Sequence, residues 1–199
     1  MIRKAEASDL EALMGIWLDA NVQAHSFIPA GYWQGCYAAV REMLPQAELY
    51  VHQGAAGEAD AFLGLQGDYI AGLFVREEAR GRGAGKQLLD QAKALRPRLA
   101  LHVYQKNTRA VSFYEREGFA VCEAGVDEST GEAEWTMTWQ RQEPDGSRTG
   151  VGLVSFFGID TPPRATAPGR MAEGGFGIHG QIRKRLRIWG VSNPDIFYV

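Results

Sequence analysis

Between Ala71 and Lys86 the chain passes from an apolar run, Ala-Gly-Leu-Phe-Val, through a basic loop with glycine at 81, 83 and 85, into a helical pattern. Glycine permits tight turns and close backbone approach. A helix opening at the same place adds unpaired N–H groups and the positive end of its dipole. A strand, such a loop and a helix in succession form a cradle for phosphate, and a pyrophosphate-bearing cofactor is the first ligand to consider. The spacing narrows the choice. A Walker A loop needs Ser or Thr after its lysine, but Gln87 follows Lys86, and a Rossmann fingerprint needs glycine where Lys86 stands. What remains is Arg80-x-x-Gly83-x-Gly85.

The rest of the pattern alternates strands and helices. A short strand over residues 2–5 precedes a helix for which Ser8 and Glu11 form a capping box, with Leu10, Leu13, Met14 and Trp17 on one stripe. A second helix ends near Pro45. Strands follow over 48–53, 61–66 and 69–75, the last feeding the glycine loop. The next helix, 83–95, carries Ala84, Leu88, Ala92 and Leu95 on one side and cannot continue through Pro97. A strand over 99–104 leads to a helix over 108–117, stopped by Gly118 with Phe119 as a Schellman contact. Two strands flank a turn at 129–131. This order is α/β with a mixed sheet.

About twenty residues after the loop lies a second block, Asn107-Thr-Arg-Ala-Val-Ser-Phe-Tyr-Glu-Arg-Glu-Gly-Phe119. The two blocks, in this order and spacing, resemble the GNAT superfamily of acetyl-CoA-dependent N-acetyltransferases. The resemblance spans roughly residues 1–140. The opening Met1-Ile2-Arg3, the 27–33 loop with Phe27, Pro29, Tyr32 and Trp33, and Trp135-x-Met137-x-Trp139 are similar to its small bacterial YiaC-like branch. It implies a mixed, mostly antiparallel central sheet flanked by helices, and acetyl-CoA as acetyl donor.

The resemblance also implies site residues. Arg80, Gly81, Arg82, Gly83, Ala84, Gly85 and Lys86 would hold the pyrophosphate. The main chain of Leu73, Phe74 and Val75 would pair with the pantetheine arm, and Asn107 would bond that arm. For the last, a plain helix-entry asparagine is the alternative. Tyr114 stands where the family directs a phenol at the thioester sulfur. A phenol near pKa 10 is a weaker acid than a thiol near about 8.5, so it acts as a hydrogen-bond donor that transfers its proton late. A core tyrosine beside Phe113 is the competing use. For the proton of the amine, which is neutral in only about one lysine in 2500 at pH 7, His25 is the candidate acceptor, with Glu48, His52 and His102 as others. Tyr32, Trp33 and Tyr69 are candidate walls of the acceptor pocket, although packing explains aromatic residues equally.

Composition bounds the alternatives. A chain of 199 residues with only Cys36 and Cys122 fits neither a disulfide framework nor a zinc site. No apolar run reaches the roughly 18 residues of a membrane span, and the N-terminus lacks a signal pattern. A cytoplasmic enzyme without membrane or metal, monomeric or homodimeric, is expected. Residues 1–143, the expected catalytic domain, hold 14 Lys and Arg against 20 Asp and Glu; residues 144–199 hold 7 against 4. The acidic part disfavours nucleic acid and suits cationic acceptors. Residues 144–199, rich in Gly and Pro, read as a weakly ordered extension, with an apolar stretch at 151–157 and a basic one at 181–189. The expected reaction is acetyl transfer to a protein lysine or N-terminal amine by direct attack in a ternary complex, since no side chain stands out as a covalent nucleophile. Transfer to small amines or antibiotics, a non-catalytic acyl-CoA-binding module, and nucleic-acid binding led by residues 183–187 are the rival readings.

Overall fold

A computed structural model describes residues 1–142; the expectations for residues 144–199 lie outside the described residues. The elements are β1 (Ile2–Lys4), α1 (Leu10–Ala24), α2 (Ala30–Met43), β2 (Glu48–Gln53), β3 (Ala59–Gln66), β4 (Tyr69–Val75), α3 (Ala84–Leu95), β5 (Arg98–Tyr104), α4 (Thr108–Arg116), β6 (Ala120–Val126) and β7 (Ala133–Gln140). Short 3-10 turns join some of them. Among the described residues the strands form one sheet in the order β1-β2-β3-β4-β5-β7-β6. Every pairing is antiparallel except β4 with β5. No described helix is long and apolar enough to cross a membrane.

Helices cover both faces, so the central strands are buried on both sides and alternate between two cores. Phe62, Phe74 and Tyr104 join Trp17 and Trp33 of α1 and α2 on one face. Leu63, Leu73, Leu101 and Tyr114 join Leu88 and Leu89 of α3 on the other. Each fully buried large apolar side chain contributes about 1.5–3 kcal/mol, which explains why β4 reads as an unbroken apolar run rather than as alternation.

Two local expectations shift. The helix entry is capped two residues upstream of Ser8: the Asp9 carboxylate accepts from the Glu6 amide at 2.8 Å. Arg3 holds that carboxylate with two bonds of 2.7 and 2.8 Å, a tertiary contact that outcompetes the Ser8–Glu11 box. On α3, Leu95 lies 37% exposed while Leu89 is fully buried: the buried stripe runs through Ala84, Leu88, Leu89 and Ala92 and stops short of the last residue. The α4 stop is as expected: Gly118 is left-handed at φ 83° and the Phe119 amide donates to the Tyr114 carbonyl at 2.9 Å.

The β6–β7 turn is held by Asp127. Its buried carboxylate accepts from the Tyr104 hydroxyl at 2.5 Å, the Ser129 amide at 2.8 Å, the Ser129 hydroxyl at 2.6 Å and the Thr130 hydroxyl at 2.7 Å. Burial pushes its pKa up, but the hydrogen bonds from Ser129, Tyr104 and Thr130 outweigh it and hold the carboxyl below its ordinary 3.8. The stabilisation is therefore full above the ordinary value and is lost as pH falls through the lower folded one. Asp127→Asn is predicted to lower the urea midpoint at pH 7, with the gap to wild type narrowing below about pH 4. A gap that stays constant with pH contradicts this role.

Candidate active site

The site begins with a defect in the sheet. Gly64 pairs with Gly72 and Leu65 with Ile70, so Ala71 is an extra residue on β4. Such a bulge bends its strand and increases the local twist. Beyond it β4 leaves β5: the two pair only at Tyr69 with Ala100. Gly72 is required at the bend, since a Cβ there would stand 2.2 Å from the Phe74 ring. That ring stacks on Phe62 at 4.9 Å between centroids.

The ladder sets which main-chain groups face the gap. The Arg76 amide donates to the Asp60 carbonyl at 2.9 Å, so with Phe62 opposite Phe74 the groups of Phe74 point to β3, by the alternation of antiparallel pairs. Those of Leu73 and Val75 point away from β3, into the gap. The Val75 carbonyl accepts from Arg80 Nε at 3.2 Å, which leaves the Leu73 amide and carbonyl and the Val75 amide without a ladder partner there. Of the three expected main-chain contacts, Phe74 therefore offers only its side chain to the gap.

Where β4 ends, the chain turns through Gly81 and Gly83, both left-handed at φ 74° and 89°. The first intrahelical bond of α3 runs from the Gln87 amide to the Gly83 carbonyl at 3.0 Å. The amides of Ala84, Gly85 and Lys86 precede it and have no partner within the helix. A cavity of about 550 Å³ opens over this loop and the gap. It is bordered by His25 of the α1–α2 loop, by Leu73, Phe74 and Val75, by Arg80, Gly81, Gly83, Ala84, Gly85 and Lys86, and by Asn107. Gly85 faces it closely: a Cβ there would lie 3.5 Å from Val75 and 3.8 Å from Phe113.

The electrostatics are one-sided. Arg80, Lys86, Lys106, Arg109 and Arg116 border the cavity and no carboxylate does, among the described residues. Lys86 is offset by Asp90 at 2.9 Å and Lys106 by Glu132 at 2.8 Å. For Arg80, burial, and next the charge of Arg109, push its pKa down and outweigh the opposing charges of Glu77 and Glu78. Two mutually repelling guanidinium groups at one cavity in an acidic domain give that cavity a locally positive field, which favours anions. Arg109 and Arg116 escaped the sequence reading, although their spacing of seven residues places them on one face of α4.

His25, Asn107 and Tyr104 are brought together. His25 is buried at the end of α1, with its Nε2 3.3 Å from Asn107 Nδ2. Its ring packs against Trp33 at 5.3 Å and Tyr104 at 5.1 Å. Asn107 also caps α4, accepting from the Ala110 amide at 3.2 Å, so the capping reading holds for a residue that also borders the cavity. Tyr114 is fully buried behind the cavity wall, between Phe113 and Phe119. Its hydroxyl has no hydrogen-bond partner among the described residues. Burial, and after it the neighbouring Tyr69, push its pKa up, so it stays protonated and keeps its O–H as a donor.

Other expected residues stand apart. Arg82 is exposed and does not border the cavity. Trp33 is fully buried and backs His25 rather than bordering the cavity. The Tyr32 hydroxyl meets Ser129 Oγ at 2.8 Å, and Tyr69 meets His102 Nδ1 at 3.2 Å. Glu48 is held by Tyr50 at 2.5 Å and Arg96 at 2.6 Å, and His52 by Asp60 at 2.5 Å. Both lie on β2, two strands from the gap. Neither reaches the cavity, because the strand order removes β2 from the splay.

Known proteins match this architecture. A family model described as an acetyltransferase (GNAT) domain matches residues 30–121. The chain is 36% identical over 141 residues to the peptidyl-lysine N-acetyltransferase YiaC of Escherichia coli K12, covering 70% of this chain and 96% of that protein. It is 34% identical over 120 residues to the peptidyl-lysine N-acetyltransferase YjaB of Salmonella typhimurium, covering 60% and 83%. The solution structure of apo-form YjaB from Escherichia coli superposes with a TM-score of 0.65 at 28% identity, over 71% of this chain and 98% of that one. A phosphate-type loop at a splayed strand pair, joined to this descent, has one reading: the chain belongs to the GNAT family and is an N-acetyltransferase.

Proposed function

We propose that this enzyme transfers the acetyl group of acetyl-CoA to the side-chain amine of a protein lysine, by direct attack while donor and acceptor are bound together. The observation that carries the donor is the gap beside β4, which opens onto five cations without a carboxylate among the described residues. The acceptor class rests on the relatives named peptidyl-lysine N-acetyltransferases. Acetyl-CoA supplies an activated thioester carbonyl, and its sulfur is the leaving group when the amine nitrogen bonds to the carbonyl carbon.

The chain's own groups then have defined tasks. The amides of Ala84, Gly85 and Lys86 with the Arg80 guanidinium bind the diphosphate. The Leu73 and Val75 main chain extends the β4 edge along the pantetheine amides. The Leu73 amide, fixed and facing the gap, is placed to stabilise negative charge on the carbonyl oxygen, a preorganised contribution worth about 3 kcal/mol. Tyr114 donates its unpartnered hydroxyl toward the sulfur as the C–S bond breaks. His25 accepts the amine proton at Nε2, directly or through water, and gives up the Asn107 contact that the neutral ring holds there.

The direct test incubates the full chain with acetyl-CoA and peptides carrying either a free lysine behind a blocked N-terminus or a free N-terminus without lysine. Thiol release and acetylation of the lysine peptide are expected. Release only with the other peptide, or with neither, overturns the acceptor.

Donor binding is tested at Gly85, which is not left-handed and so takes a side chain without backbone strain. Gly85→Val is predicted to keep its melting temperature within a few degrees while acetyl-CoA affinity falls by about 10-fold or more, because the methyl groups fill the cradle. Gly83 is the poorer site for this, since its left-handed backbone would add strain. Unchanged calorimetric affinity would remove the loop from cofactor binding.

Tyr114→Phe separates catalysis from packing. Removing a buried hydroxyl that has no partner should leave stability unchanged or raise it by about 1 kcal/mol. The single-turnover rate should fall about 10²-fold, the usual scale for acid–base assistance, with acetyl-CoA affinity held within a few-fold. A destabilised variant with full turnover contradicts the assignment.

A further inference from the structure

Asn21 is a buried polar residue that no task above uses. It lies on the last turn of α1, is 1% exposed, and borders the cavity. Its Nδ2 donates to the Trp17 carbonyl at 2.9 Å, which orients the amide and assigns Oδ1 as the remaining acceptor. That oxygen receives no hydrogen bond among the described residues. A buried acceptor left bare is a standing cost to the fold, and a ligand with an N–H would remove it.

The position says which ligand. The cavity touches both faces of the sheet through the β4–β5 gap. Its five cations all come from the loop before α3, from α3, from the loop after β5 and from α4. The α1 wall contributes Ala20, Asn21, Gln23 and Ala24, with His25 directly following, and no charge. The phosphates of a donor belong with the cations. The α1 wall is left for the reacting end, where Asn21 on the last turn and His25 just past the helix both border the cavity.

We propose that Asn21 Oδ1 accepts a hydrogen bond from the attacking amine nitrogen, and so orients its lone pair toward the thioester carbonyl. This rests on the acetyl-transfer reading above. A neutral amine keeps two N–H groups beside its lone pair, and one of them needs an acceptor once water is excluded. An amide oxygen serves without charge; a carboxylate at the same place would favour the ammonium form, which cannot attack. Asn21 is a positioning residue on this account, and the proton is removed elsewhere.

The test is Asn21→Leu in the full chain. Leucine is similar in shape and has neither polar atom, and the Trp17 carbonyl retains its intrahelical bond. The melting temperature is expected to hold or rise. The acetyl-CoA affinity should stay within about two-fold, and kcat/KM for a lysine peptide should fall by about 10-fold or more, the scale of one oriented hydrogen bond. If the leucine variant does not fold, Asn21→Ala is read in the same way. Unchanged kcat/KM overturns the proposal, and so does an equal loss of acetyl-CoA affinity, which would place the contact on the pantetheine arm. If the wild-type protein itself neither binds acetyl-CoA nor releases thiol, the acetyl-transfer reading fails first, before Asn21 is at issue.

Discussion

One extra residue in one strand sets up everything else. Ala71 has no counterpart on β3, and the bend it imposes ends the pairing of β4 with β5 after a single register position. An unbulged β4 would continue its ladder with β5 and close the sheet. The main-chain groups of Leu73 and Val75 would then be spent on β5. Gly72 and the stack of Phe74 on Phe62 hold the bend from one side, and Arg80 holds its end through the Val75 carbonyl. The gap is thus kept open by packing and by covalent geometry, with no need of a ligand to part the strands.

Charge is sorted about that gap. The described domain is acidic, yet the cavity border carries only cations. Arg80 shows the tension, since burial and Arg109 both weigh against its charge. On the proposed reading, a bound diphosphate would relieve this, since it would satisfy amides and guanidinium groups together. Across the gap the α1 wall is uncharged. Behind it, the His25 ring rests on Tyr104, Tyr104 donates to Asp127, and Asp127 fixes the turn from which Ser129 meets Tyr32. The α1 side of the cavity is therefore steadied by a buried carboxylate that does not itself border it.

Local physics was legible in the sequence. Gly118 with Phe119 ends α4 as expected, because a Schellman stop depends on neighbours within one turn. The glycine loop and its helix were equally plain. What depended on distant partners was not. Nothing near Ser8 reveals that Arg3 will claim Asp9 and move the helix cap. Glu48 and His52 read as candidates for the site only while the strand order was unknown; with β2 two strands away, Arg96 and Asp60 occupy them. Asn21 is the converse case. Its helical stripe reads as core, and only the bare oxygen beside a cavity sets it apart.

The central claim is that acetyl-CoA lies along the opened edge of β4 and over the N-terminus of α3. Amide hydrogen exchange of the full chain, with and without saturating acetyl-CoA, tests it most directly. Slowed exchange is predicted at Leu73, at Val75, at Gly81 and across Gly83 to Lys86, since these amides lack ladder or helix partners until the cofactor supplies them. Phe74, already bonded toward β3, should change little by comparison. Saturable binding that leaves those amides unprotected, or protects only segments away from the gap, would contradict the account.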